Sequence, residues 1–150
     1  MKGRCAVKIS TKGRYAIRLM VDIAEHEKRG NVSIKDVAKR QDISLKYLEQ
    51  IVNTLSKAGY LKSRRGSQGG YQLTKAPEEY TIAGILRVTE GDFAPVACLE
   101  GGENTCPKRS ECTTIRMWEG LYRVVDEYLS GISIADLLNE KNSGDFGYYI

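Results

Sequence analysis

Three cysteines stand close together in the second half of this 150-residue chain. Cys98, Cys106 and Cys112 are separated by seven and then five residues. Thiolates are soft ligands that suit iron–sulfur clusters and zinc. Gly101, Gly102 and Pro107, which intervene, let the backbone fold around a metal. Clusters and structural zinc usually take four ligands, and the spacing lacks the paired two-residue knuckles of common zinc sites. Plain thiols, a redox disulfide and a metal site are all open readings of the segment. Cys5 lies apart in a basic N-terminal tail. An odd-numbered cluster in a chain with no charged-then-apolar leader argues against a secreted disulfide framework.

A second group of residues suits nucleic acid. Lys46, Tyr47, Gln50, Asn53, Thr54 and Lys57 share the polar side of one stretch, with Glu49 at its edge. Gln and Asn pair with adenine edges, Glu accepts from cytosine N4, and Lys reaches guanine or phosphate. Further on, Arg64 and Arg65 open the run Gly66-Ser67-Gln68-Gly69-Gly70. Adjacent arginines at a glycine-rich tip suit phosphate or a narrow minor groove. The run lacks the lysine spacing of a nucleotide-cradling loop and does not sit between a strand and a helix. A plain solvated helix face is the competing reading of the first group.

These residues need elements to position them. Ser10 and Thr11 are N-cap candidates for a helix whose apolar face is Ala16, Leu19, Met20, Ile23 and Ala24, ending near Gly30. Ser33 and Asp36 have capping-box spacing before a short helix that stops around Gln41. Ser44 caps a third helix, with Leu45, Leu48, Ile51, Val52 and Leu55 inward. Two short helices joined by a tight turn, the second with a long polar face, form a helix-turn-helix. Short strands at Tyr60–Lys62 and Tyr71–Leu73 flank the arginines, so a hairpin wing follows directly. Pro77 ends the wing, and Thr81–Thr89 reads as a helix packing on this unit.

A long helix is expected from about Thr113 to Leu129. Ile115, Trp118, Leu121, Tyr122, Val125, Tyr128 and Leu129 fall near a heptad seam, which suits pairing with a second copy. Ser133 and Asp136 cap a last short helix. The expected fold is mainly α with a small β-hairpin wing: a winged helix-turn-helix domain plus a long dimerisation helix. Its divisions are a lead-in over 1–9, the winged domain over 10–90 and a cysteine-bearing loop over 91–112. Helices over 113–141 and a frayed tail over 142–150 complete it.

Charge divides along the same lines. Residues 1–75 hold 17 Lys/Arg against 6 Asp/Glu, whereas residues 76–150 hold 6 against 13. A basic half joined to an acidic half implies that the first half meets a polyanion. No apolar run approaches a membrane span, and a cytoplasmic protein is expected. One histidine and no nucleophile–base pair leave little basis for an enzyme.

Three segments together resemble the IscR-type family of bacterial winged-helix regulators: Ser10-Thr11-Lys12-Gly13-Arg14-Tyr15-Ala16, Ile43-Ser44-Leu45-Lys46-Tyr47-Leu48-Glu49-Gln50 and Arg65-Gly66-Ser67-Gln68-Gly69-Gly70-Tyr71. The resemblance covers about residues 7 to 140. It implies a homodimer paired through the long helix, acting on double-stranded DNA mainly as a repressor. It implies that Ser44, Tyr47, Glu49 and Gln50 are recognition-helix residues that meet DNA and that Arg65 enters the minor groove. It also implies that Cys98, Cys106 and Cys112 ligate a 2Fe–2S cluster, with genes for cluster assembly as targets. The fourth ligand is open. One branch of the family has histidine where this chain has Ile115, and another takes an aspartate from a partner at the position of Arg14. Glu100, Glu103, Glu111, Glu119, His26 or an exogenous group are candidates. The alternative is a cluster-free thiol-redox or cysteine-metabolism repressor tuned by a partner protein.

Overall fold

The computed structural model describes residues 8–144, so Cys5 and the last six residues lie outside it. Helix α1 spans Thr11–His26, and the Ser10 hydroxyl accepts the Gly13 N–H at 3.2 Å. Ala16, Leu19, Met20 and Ile23 are fully buried along one stripe, as their three- and four-residue steps require. A 3₁₀ turn over Glu27–Arg29 carries the chain to Gly30.

Helix α2 covers Ile34–Gln41 and helix α3 covers Leu45–Lys57. The expected Ser33–Asp36 capping box does not form. The Ser33 side chain makes no cap bond, and its carbonyl takes the Asp36 N–H instead. The preceding residue, Val32, is already pinned to Tyr71 by two backbone bonds of 2.9 and 2.8 Å, which fixes how the chain enters α2. The α2–α3 turn passes through Asp42 in the left-handed region, at φ 51°. Asp tolerates that conformation better than most non-glycine residues. Ser44 caps α3 by accepting the Tyr47 N–H at 3.2 Å.

The wing consists of β1, Leu61–Arg64, and β2, Gly70–Leu73, antiparallel with Leu61 opposite Leu73 and Arg64 opposite Gly70. The first strand runs further out than Tyr60–Lys62, so Arg64 belongs to the ladder and Arg65 opens the tip. Val32 supplies a one-residue third strand beside Tyr71. Gly70 makes this close approach possible, because a Cβ there would lie 2.5 Å from the Val32 carbonyl oxygen. At the wing base the Tyr80 hydroxyl accepts the Thr74 and Lys75 N–H groups, each at 2.9 Å, and donates to the Tyr60 carbonyl at 3.0 Å.

Helix α4, Ile82–Glu90, follows its Thr81 cap and packs on α1. The cysteine segment leads to α5, Ile115–Ser130, and then to α6, Ile134–Ser143. The Ser133–Asp136 capping box does form. Helix α6 runs two residues past the expected end at 141 and stops at Gly144, whose φ of 65° ends it. It returns to the winged unit. Ile134 is fully buried with Tyr80 and Ile82, and Lys141 pairs with Glu25 of α1 at 2.6 Å.

One charged side chain is buried among these helices. Asp22 of α1 is 2% exposed. Both its oxygens bond Arg40 of α2, and Gln41 donates to it at 2.8 Å. Burial alone would push its carboxyl up. The Arg40 and Gln41 bonds and the Arg40 charge outweigh that and hold it below the ordinary carboxylate value.

Candidate DNA-reading face and cysteine loop

Most of the polar side of α3 faces solvent. Lys46, Glu49, Gln50 and Asn53 are exposed, while Leu48, Ile51, Val52 and Leu55 seat the helix in the core. Ser44 is exposed, but its hydroxyl is engaged as the helix cap. Tyr47 is half-buried and packs edge-on against Tyr15 of α1, ring centres 5.8 Å apart. Both residues therefore set the start of α3 as well as facing outward. Arg64 and Arg65 are exposed on the wing.

Helix and wing border a common groove of about 440 Å³, lined by Ser33, Lys35, Glu49, Ser67 and Gly69 among others. A larger cleft, about 810 Å³, lies between Arg29–Asp36 and Arg64–Gly69. There Asn31 donates to the Gln68 carbonyl at 3.0 Å and braces the wing tip. Asn31, Val32 and Tyr80 carry no mark in the sequence that assigns them to wing support. Their role comes from contacts across 37, 39 and 20 residues of chain.

The three cysteines occupy the segment between α4 and α5 and form no disulfide. Cys98 lies in a 3₁₀ turn, Ala97–Leu99, whose Leu99 is buried. Asp92 ties this part down. It takes the Gly101 N–H at 2.7 Å, the Ala94 N–H at 3.0 Å and the Tyr122 hydroxyl at 2.9 Å. Burial opposes its ionisation, but these bonds prevail and hold the carboxyl below its usual value. Cys106 and Cys112 lie on a second part held by local turns, with the Cys106 N–H on Asn104 at 3.0 Å. The exposed Cys112 thiol is shifted down, first by the Thr114 hydroxyl 3.5 Å away and then by the Thr114 N–H.

In kind, three unpaired thiols on one loop fit an iron–sulfur cluster. In place, they are not gathered: among the described residues no three His, Cys, Asp or Glu side chains converge as a metal site. Thiol side chains have nothing to draw them together without a cation, because ligand convergence is coupled to metal binding. No fourth donor is identified either. His26 is engaged with Asp22, its Nδ1 2.8 Å from the Asp22 carbonyl oxygen. Arg14 bonds Thr11 on its own helix.

The residues of the expected seam on α5 differ in how far the chain itself covers them. Tyr122, Val125 and Leu129 pack on the chain's own core, and Ile115 and Trp118 are half-buried. The residues left exposed are Met117, Leu121, Val124 and Tyr128. These also repeat at helical spacing, on a face next to the one expected. The periodicity located two apolar faces without separating them, and α4 claims one.

A helix-turn-helix with an arginine-bearing wing defines a winged-helix DNA-binding regulator. The chain matches the Rrf2 profile, described as an iron-dependent transcriptional regulator, over residues 9–140, and it belongs to this family. It is 39% identical over 137 residues to protein rrf2 of Nitratidesulfovibrio vulgaris, covering 91% of this chain and 90% of that protein. It is 36% identical to the transcriptional regulator IscR of Aliivibrio salmonicida, covering 88% and 77%. Among solved structures, T. potens IscR matches with a TM-score of 0.74 and 35% identity over 98% of this chain and 97% of that one. CymR, the global cysteine regulator of B. subtilis, matches with a TM-score of 0.72 and 38% identity over 88% and 96%. The relatives are named as transcription regulators, and the chain is a DNA-binding regulator of the same bacterial type, not an enzyme. Among the described residues no helix is long and apolar enough to cross a membrane.

Proposed function

We propose that this chain is a dimeric, sequence-specific repressor whose choice of DNA sites depends on an iron–sulfur cluster held by Cys98, Cys106 and Cys112. Genes for cluster assembly are the proposed targets, and 2Fe–2S is the proposed cluster. The observation that carries the reading is positional. Three unpaired thiols occupy the one segment that joins the winged unit to α5.

Residues of α3 and the wing would supply the readout: Lys46, Gln50 and Asn53 toward base edges and phosphate, Arg64 and Arg65 toward the minor groove. Glu49 is an exposed carboxylate on the same helix face and is repelled by phosphate. It is tolerable at DNA only where it reads a base or excludes wrong ones. The exposed stripe of α5 would meet its copy in a second chain, giving two reading heads at a fixed half-site spacing. A bound cluster supplies a ligand sensitive to iron and oxidants. The chain's part is to hold it between reading head and dimer axis, where a difference in affinity between loaded and free forms can bias spacing.

The test compares wild type, purified anaerobically and shown to carry iron and sulfide, with a Cys98→Ala, Cys106→Ala, Cys112→Ala variant on a panel of natural operators. Different ranking of sites supports the reading. Identical ranking and affinity would remove the cysteines from DNA choice. The likeness to CymR and the lowered Cys112 thiol favour one second reading, a thiol-responsive cysteine-metabolism repressor acting with a partner protein. Colourless, iron-free protein whose operator binding follows thiol oxidation would select it.

A further inference from the structure

The cysteine segment has two unequally held parts, and the difference rests on one side chain. Asp92 is the second residue after α4 and precedes Cys98 by six. Its Oδ2 takes the Gly101 N–H at 2.7 Å, closing the chain around the Cys98 turn. Gly101 and Gly102, at φ 82° and 84°, make the reversal this closure needs. Its Oδ1 takes the Tyr122 hydroxyl of α5.

Tyr122 then packs edge-on against Phe93, ring centres 6.1 Å apart. The Arg87 guanidinium of α4 lies 5.2 Å over the same Phe93 ring and is ion-paired with Asp126 of α5. The Cys98 part is thus tied to both helices. The Cys106 and Cys112 part is tied more lightly. One backbone bond, from the Thr105 N–H to the Cys98 carbonyl at 3.3 Å, joins it to the Cys98 turn. Its other bonds run to Asn104, Cys106, Lys108 and Thr114 within the part itself.

We propose that Asp92 is a positioning residue that latches the Cys98 turn onto α4 and α5, so that the cysteine loop has one fixed arm and one movable arm. This refines the cysteine-loop reading above, but it also holds for the thiols alone. A group that gathers the three thiols would draw the movable arm to the fixed one. The reaction would be felt at Tyr122 and Arg87, the junction of reading head and α5. A carboxylate with two N–H bonds and one O–H bond suits a latch, because bonds to an ionised acceptor are stronger than neutral ones.

The experiment uses full-length protein with Asp92→Ala, Asp92→Asn and Tyr122→Phe. In metal-free protein, iodoacetamide labelling of each cysteine is followed by peptide mass spectrometry under native conditions. Asp92→Ala should raise the Cys98 rate roughly 10- to 100-fold, the loss of bonds to a charged group, and leave Cys112 unchanged. Tyr122→Phe keeps the Phe93 packing and should give a smaller rise. A Cys98 rate equal to wild type overturns the latch. So does an equal rise at all three cysteines, which would mean general loosening. If Asp92→Ala does not fold, Asp92→Asn and Tyr122→Phe carry the same comparison at near-constant volume. A parallel arm reconstitutes each protein with iron and sulfide and records the visible spectrum and its decay, expected faster in Asp92→Ala. Wild type that takes up no iron ends the cluster reading, while the labelling arm still judges Asp92.

Discussion

Ser10 and Glu90 close the first helix of the winged unit against its last. The Ser10 N–H and hydroxyl both donate to one Glu90 oxygen, each at 2.6 Å, and the Ser10 oxygen also caps α1. Gly13 stands beneath this contact, where a Cβ would meet the Glu90 carboxylate at 2.3 Å and Leu86 at 2.9 Å.

Gly13→Ala should therefore destabilise, although alanine is the better helix former by about 1 kcal/mol. The atoms met are side-chain ends, but Leu86 is buried and Glu90 is held by Ser10. Moving them breaks those contacts at a cost of roughly 1–3 kcal/mol, which at least offsets that gain. Urea melts should show the loss shrinking in a Glu90→Ala background. An equal loss in both backgrounds would exclude the Glu90 clash as its cause.

Asp22 gives the fold an acid limit. Its carboxyl is held below its ordinary value in the folded chain, so its ionised form stabilises fully above the unfolded value of about 3.9. That stability is lost as pH falls through the lower, folded value. Asp22→Asn should flatten this part of the acid-unfolding curve. At neutral pH it should cost roughly 2–4 kcal/mol, below a fully buried pair because Arg40 keeps contact with water. A neutral-pH stability equal to wild type would contradict the assigned role.

The wing hinges on Gly70. Gly70→Ala drives a Cβ into the Val32 carbonyl and should cost roughly 2–4 kcal/mol or detach the Val32 bridge. Hydrogen exchange at the Val32 and Tyr71 amides distinguishes these results. Protection at both amides equal to wild type, with no change in melting, would refute the contact.

Arg65→Ala should weaken operator binding and lower its salt dependence by about one phosphate contact. Glu49→Ala should instead relax discrimination by roughly 1–3 kcal/mol per base pair misread. Competition with scrambled DNA separates the two. Equal losses on both DNAs would withdraw the base-reading role of Glu49.

Val124 is 58% exposed on α5, so Val124→Glu should fold normally. It should also shift sedimentation toward monomer and reduce operator affinity. A dimer as tight as wild type would move the pairing surface elsewhere.

The helices were legible because their signals are local. Ala16 to Ile23 on α1 and the Ser133–Asp136 box on α6 each lie within a few turns of chain. What escaped depends on distant partners. Asp22 looks like any helix carboxylate until Arg40 arrives from α2. Val32 is a strand of one residue and carries no period. Ser33 has capping-box spacing, but its backbone is committed to the wing. On α5 two adjacent apolar faces share one heptad count, and only packing against α4 tells them apart. The cysteine spacing announced soft donors. Their gathering is coupled to a bound ion, and no side-chain pattern encodes it.

The outer edge of β1 has a further consequence. The described sheet is two strands with Val32 capping one side, so the backbone groups of β1 on the other side have no strand partner. An open edge invites strand addition from other chains and so aggregation. This edge is four residues long and carries Lys62 and Arg64. Lys62 and Arg64, the latter a proposed DNA contact, also repel a second copy of the same strand. Charge-neutral substitutions in the wing would then trade DNA affinity and colloidal stability together.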